Sequence, residues 1–268
     1  MDGMWMHDGP MLPRGGSRTK HITLIDPDKQ SPEVAAQRAL VAVECGTSAI
    51  FVGGSTDTGS NIVDATCASI QEALELAMFA ASQHPDAEEE MWNIPVILFP
   101  GGAHAMSAKA DGILFMMLMN STSRRFLIEE QLTGAPYIAQ AGLQTIPTGY
   151  IVCSPGGVVG EVGQADLVHP GDSKLVSAYC QTAEMYGFST VYLEAGSGAS
   201  SPVSLDLIKT AKSSMHCTLL VGGGIRTPEQ MKAAADAGAD YIVTGTITEE
   251  FDDLQLLKQR LQSLISVL

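Results

Sequence analysis

Short apolar runs rich in β-branched and aromatic residues alternate along the chain with longer segments whose apolar positions recur every three or four residues. The first pattern is that of buried strands and the second that of amphipathic helices, so the alternation predicts βα units around a parallel sheet. Strands are expected at 21–25, 49–52, 95–99, 112–117, 149–153, 190–193, 218–221 and 241–243. A first helix is expected from an N-cap at Ser31 with Pro32 at N1, closing at Gly46. Further helices are expected at 63–82, 125–141 (broken near Gly134 and Pro136), 173–186, 203–213, 228–237 and 252–266.

One interval is irregular. Only residues 100–111 separate the third strand from the fourth, and a parallel crossover with a full helix and two loops needs about a dozen residues or more. The third helix should be very short or replaced by irregular chain. Eight strands in order favour a closed barrel over an open doubly wound sheet. The fold class expected is therefore α/β, a modified TIM (β/α)8 barrel with the third helix short or absent.

Composition narrows this picture. The 268 residues, 45% of them apolar, suffice for one barrel domain over 21–268, preceded by a loose lead-in over 1–20. Thirty acidic against 15 basic residues give a formal charge of -15, which disfavours nucleic acid and anionic membrane surfaces. An anionic small molecule is not disfavoured, because backbone amides at helix starts bind phosphate without net positive charge. Cys45, Cys67, Cys153, Cys180 and Cys217 are scattered and odd in number, as expected of reduced thiols in a cytoplasmic protein, acting as core filler. No signal peptide or membrane anchor is expected.

The candidate chemistry gathers after the last three strands. Strand six runs into Tyr192-Leu193-Glu194-Ala195-Gly196-Ser197-Gly198, strand seven into Gly222-Gly223-Gly224-Ile225-Arg226-Thr227-Pro228, and strand eight into Thr244-Gly245-Thr246. Barrels of this kind carry their sites at the strand carboxyl ends, with phosphate commonly held after strands seven and eight. Glycines there let backbone N–H groups approach phosphate oxygens, with Ser197 and Thr246 as further donors. The plainer alternative is that these glycines only make tight βα turns. Arg226 either adds charge near a phosphate or pairs with Glu229.

These loops, taken with His21-Ile22-Thr23-Leu24-Ile25-Asp26-Pro27-Asp28-Lys29, Val52-Gly53-Gly54-Ser55, Tyr150-Ile151-Val152 and Pro155-Gly156-Gly157, resemble the geranylgeranylglyceryl phosphate synthase family. The Tyr-Leu-Glu-Ala-Gly-Ser-Gly segment is similar to the version in that family's second group. The resemblance implies a barrel lacking its third helix and a prenyltransferase of archaeal ether-lipid synthesis. Such an enzyme joins sn-glycerol 1-phosphate to geranylgeranyl diphosphate and releases diphosphate. It implies Mg2+ held by Asp26 and Ser55, hard oxygen ligands completed by substrate phosphates. It further implies an sn-glycerol 1-phosphate site made of Tyr192, Leu193, Glu194, Ala195, Gly196, Ser197, Gly198, Gly223, Gly224, Gly245 and Thr246.

Tyr192 and Glu194 are the catalytic residues expected on the same basis. Glu194 would orient the glycerol hydroxyls and accept the proton of the attacking one. A homo-oligomer and a lipid-soluble product are also implied. The prenyl chain would lie in a groove beside the missing helix, lined by Phe115, Met116, Met117, Leu118 and Met119 with Met78 and Phe79; taken singly, these residues read more readily as a buried strand against a buried helix face, and the groove follows mainly from the resemblance. Where some relatives carry a lysine two residues before the metal-binding aspartate, this chain has Leu24, so any contact from that lysine is absent here. Three alternatives stay open: a heptaprenyl-using synthase, a phosphosugar isomerase-type barrel, and a phosphate-binding barrel without chemistry.

Overall fold

A computed structural model describes residues 11, 12, 16, 18–54, 58–84 and 88–268. Eight parallel strands close into a barrel in chain order: β1 Lys20–Ile25, β2 Thr47–Val52, β3 Val96–Leu98, β4 Gly112–Leu118, β5 Gln144–Val152, β6 Thr190–Glu194, β7 Thr218–Gly222 and β8 Tyr241–Thr244, with β1 pairing to β8. The helices are α1 Pro32–Glu44, α2 Ser60–Ser82, α3 Glu130–Ala141, α4 Gly157–Val162, α5 Ser173–Met185, α6 Leu205–Ser214, α7 Pro228–Asp236, α8 Thr246–Glu249 and α9 Leu254–Ile265. Ser31 caps α1 by accepting the Val34 amide, with Pro32 at N1, and Gly46 follows in the left-handed region at φ 97°. No helix of the described residues is long and apolar enough to cross a membrane.

The two-residue period of the strands sorts the core into two layers. Ala49, Phe51, Ile97, Leu114, Tyr150 and Tyr192 fill the barrel interior. Their strand neighbours Ile50, Val52, Ile113, Ile151, Val191 and Leu193 face the helices. The interior column of each strand therefore decides which residue emerges at its carboxyl end. On β1, Ile22 and Leu24 lead to Asp26; on β6, Tyr192 leads to Glu194. At the amino end Leu12 closes the interior at 5% exposure, with Met11 packed against it. Burying one leucine contributes about 1.5–3 kcal/mol. At these two positions the lead-in is thus packed, while 1–10, 13–15 and 17 lie outside the described residues.

Between β3 and β4 there is no helix, as the short interval implied. Side chains do its fastening instead. Ser107 donates to Asp64 on α2 at 2.7 Å, and Asp111 accepts the Val96 amide at 2.7 Å and the Gln71 amide group at 3.0 Å.

Three local expectations are corrected. β5 begins at Gln144, not 149, and runs through Pro147. The Pro147 carbonyl accepts from Ser189, just before β6 starts, so the N–H that proline lacks would point to the β6 side where that strand has not yet begun. The helix after β4 is not broken at Gly134 or Pro136. It starts as a π turn, Arg125–Glu129, and continues as α3 through Pro136. Pro136 and Leu132, whose carbonyl loses its partner, are both exposed, so that carbonyl need not find a partner within the protein. Finally, α4 and α8 are short helices at the carboxyl rim that the periodicity did not reveal, being 6 and 4 residues long.

Candidate active site

The carboxyl rim holds a cavity of about 170 Å3 lined by Leu24, Asp26, Lys29, Tyr192, Glu194, Ser197, Gly198, Gly223, Gly224, Arg226, Gly245, Thr246 and Glu249, among others. The first-strand turn and the three glycine loops thus face one space. Asp26 is half-buried and accepts the Asp28 amide at 3.0 Å. Burial raises its pKa above the usual carboxylate value, opposed by that amide. Gly54 passes directly beneath it: a Cβ there would lie 2.5 Å from Asp26 Oδ2. Ser55, the other expected metal ligand, lies outside the described residues.

Glu194 is 5% exposed, and its Oε1 accepts the Gly196 amide at 2.6 Å. Burial raises its pKa, while the Gly196 amide pulls it back. Tyr192 is fully buried beneath it, packed on Tyr150 at 5.2 Å and Phe99 at 5.6 Å between ring centroids. The hydroxyl of Tyr192 occupies the space a side chain at Gly222 would need, and Glu194 Oε1 does the same over Gly223. The two glycines are what allow a phenol and a carboxylate under the β7 loop.

The amides of Ser197, Gly198, Gly224 and Thr246 donate to no acceptor among the described residues, which leaves them available to an anion in the cavity. Thr227 and Gln230 form a reciprocal capping box at the start of α7, so that helix end is satisfied internally. Arg226 does not pair with Glu229; its guanidinium donates to the Gly198 carbonyl at 3.3 Å and ties the β6 and β7 loops together.

Not every expected residue points into the cavity. Leu193 and Ala195 turn their side chains into the helix-side core, as the strand period requires, and the Gly196 amide is committed to Glu194. Any contact from the first two is through backbone. Two acidic and apolar features were missed. Glu249 on α8 faces Asp26 and Lys29, and burial followed by the charge of Asp26 raises its pKa. Ile225 and Ile247 form apolar parts of the rim. The sequence signal for them was their place one or two residues beyond the glycines of strands seven and eight.

A second cavity of about 130 Å3 opens where the third helix is missing. It is bounded by the 99–106 segment, by Ile113, Phe115, Met116 and Leu118 of β4, and by Phe126, Gly134 and Ile138 of the π turn and α3. Met117, Met119, Met78 and Phe79 do not line it. Met119 packs against Gly149 instead, and Phe79 stands 67% exposed on α2. The far wall is α3 rather than α2. Gly54, Phe99, Tyr150 and Val159 line both cavities, so the polar mouth and the apolar groove meet over Tyr150. The cysteines take no part; burial pushes the thiols of Cys67, Cys153 and Cys180 up to about 12, far from nucleophilic.

Together these features define a (β/α)8-barrel protein whose site lies at the carboxyl-terminal rim and adjoins an apolar groove left by a missing helix. The model of the PcrB family matches residues 16–263. The geranylgeranylglyceryl phosphate synthase of Methanococcoides burtonii is 40% identical over 251 residues, covering 93% of each chain. Among solved structures, wild-type GGGPS from Thermoplasma volcanium superposes with a TM-score of 0.82 at 39% identity, over 93% of this chain and 92% of that one. The (S)-3-O-geranylgeranylglyceryl phosphate synthase of Thermoplasma acidophilum, solved in complex with substrate sn-glycerol-1-phosphate, gives 0.84 at 36% identity over 96% of both chains. The chain belongs to the PcrB family.

Proposed function

We propose that this protein is a prenyltransferase that joins sn-glycerol 1-phosphate to geranylgeranyl diphosphate through an ether bond and releases diphosphate. The observation that carries this is the meeting of the two cavities. An amide-lined polar mouth and an apolar groove share Gly54, Phe99, Tyr150 and Val159, as a reaction between a small phosphate ester and a long hydrocarbon requires. The relatives named geranylgeranylglyceryl phosphate synthase support it, as does the related structure holding sn-glycerol-1-phosphate. An isomerase-type barrel has no use for the groove.

The phosphate of the acceptor is bound by the amides of Gly198, Gly224 and Thr246, with Ser197 as a further donor. This orients the glycerol hydroxyl towards Glu194, whose carboxylate takes the proton as the hydroxyl oxygen bonds to the first carbon of the prenyl chain. The bond from that carbon to the diphosphate oxygen breaks, and the electron pair leaves with diphosphate. Tyr192 lies beneath Glu194, its ring fixed by Phe99 and Tyr150. Asp26 fits a hard divalent cation: it is an oxygen donor, half-buried, with Glu249 as a second carboxylate on the same rim. Mg2+ held there by Asp26 and Ser55 would offset the charge that grows on the leaving diphosphate.

The test is incubation with radiolabelled sn-glycerol 1-phosphate and a panel of prenyl diphosphates, with Mg2+ or with chelator. Lipid-soluble label that requires both donor and Mg2+ is expected, with the panel giving the preferred chain length. Retained acceptor binding without product from any donor would refute the transferase and leave a non-catalytic barrel.

A further inference from the structure

The groove wall that replaces the third helix has little structure of its own. Between Pro100 and Met106 the backbone makes one internal hydrogen bond among the described residues, from the Ala105 amide to the Gly102 carbonyl at 3.1 Å. Yet this segment faces α3 across the groove, and both sides line it: Gly101, Gly102, Ala103 and Met106 on one, Glu130, Gln131, Gly134 and Ile138 on the other. The two sides are joined by Glu130. Its Oε2 accepts the Ala103 amide at 2.7 Å, and its Oε1 accepts from Arg125 Nε at 2.5 Å. Arg125 in turn lies over the Phe126 ring, 5.0 Å from its centroid, and Phe126 is a groove residue. Gly102 leaves room for the clasp, since a Cβ there would stand 2.9 Å from Glu130 Oε2.

A charged carboxylate on a largely apolar wall is costly unless it is paired. Here both oxygens are used, one on a backbone amide across the gap and one on a guanidinium. We infer that Glu130 is a positioning residue that clasps the 100–106 segment to α3, fixes the width of the apolar groove, and so restricts which prenyl chain lengths the protein takes. The inference rests on the groove being the prenyl site. It adds a residue that touches neither the polar mouth nor the reacting atoms.

The test is calorimetric binding of farnesyl, geranylgeranyl and heptaprenyl diphosphates, and separately of sn-glycerol 1-phosphate, to wild type and to Glu130→Ala, Glu130→Gln and Gly102→Ala. Loss of a charge-assisted hydrogen bond gives about a tenfold effect. Glu130→Ala is expected to weaken the preferred donor about tenfold and to narrow the preference among the three donors by a similar factor. Acceptor binding should change less than about twofold. Glu130→Gln keeps an oxygen for the Ala103 amide and should recover most of the preference. Gly102→Ala pushes on the carboxylate without removing it and should shift selection in the same direction, which serves if Glu130→Ala fails to fold. Unchanged donor selection in both variants, or equal loss of donor and acceptor binding, overturns the clasp. Wild type that binds donors but forms no product overturns the transferase and leaves the clasp to be judged on binding. Wild type that binds no donor overturns both.

Discussion

The packing under the mouth can be tested at Gly222. A Cβ at this position would overlap the Tyr192 hydroxyl and stand 2.9 Å from Tyr192 Cε2 and Cζ. The ring has nowhere to retreat, because Phe99 and Tyr150 hold it at centroid distances of 5.6 and 5.2 Å and it is fully buried. Overpacking of this kind costs about 1–3 kcal/mol, which for a chain of this size lowers Tm by roughly 2–4 °C per kcal/mol. Tyr192→Phe alone should change stability by less than about 1 kcal/mol, since the hydroxyl has no hydrogen-bond partner among the described residues. In the double variant the worst overlap is gone while the ring-carbon contacts remain. Part of the loss should therefore return, with a coupling of about 1 kcal/mol. Urea unfolding of the wild type, both single variants and the double variant measures this. A neutral Gly222→Ala, or strict additivity in the double variant, would refute the proposed packing of Tyr192 against the β7 loop.

Three further outcomes are expected. His21 is buried with its ring nitrogens 3.1 and 2.9 Å from the hydroxyls of Thr47 and Thr244, and burial lowers its pKa from 6.5 to about 3. The folded state thus binds this proton less readily than the unfolded chain. Its contribution is complete above pH 6.5 and is lost as the pH falls towards 3, at up to about 1.4 kcal/mol per pH unit. Wild type should lose urea resistance more steeply than His21→Gln in that window; parallel slopes would contradict this. Glu194 must be ionised to take a proton and burial raises its pKa, so turnover should fall as pH drops through that raised value. Glu194→Gln should lower the rate about 100-fold or more and flatten this limb; an unchanged acidic limb would exclude the role. Asp26→Asn should lower product formation at least about tenfold with calorimetric sn-glycerol 1-phosphate binding nearly intact, whereas equal loss of both would argue against a cation there.

The barrel was legible because each strand is a short apolar run between turn residues, and its missing helix because residues 100–111 leave no room for one. The site's location followed from the fold, since βα loops gather at one rim. Side-chain direction was harder. Leu193 and Ala195 sit inside the glycine-loop motif yet face the helices, because a motif read as a string ignores the two-residue period of the strand that carries it. Pro147 hid the start of β5, since its fit depends on β5 beginning ahead of β6, where no neighbouring strand needs the missing N–H. The groove walls were partly misassigned because helical periodicity shows that a face is apolar without showing its neighbour. Phe79 proved exposed on α2, while Gly134 and Ile138 of α3 line the groove. Glu249 escaped notice because its importance comes from the charge of Asp26 on the same rim, a residue far away along the chain.

The most direct measurement is a crystal structure with sn-glycerol 1-phosphate and a non-reactive thio analogue of geranylgeranyl diphosphate bound together. The acceptor phosphate should rest on the amides of Gly198, Gly224 and Thr246, with the analogue's diphosphate beside Asp26. Its hydrocarbon should run past Tyr150 into the groove between β4 and α3. A hydrocarbon lying outside that groove, or an acceptor phosphate seated at Asp26 away from the glycine loops, would contradict the proposed division of the site.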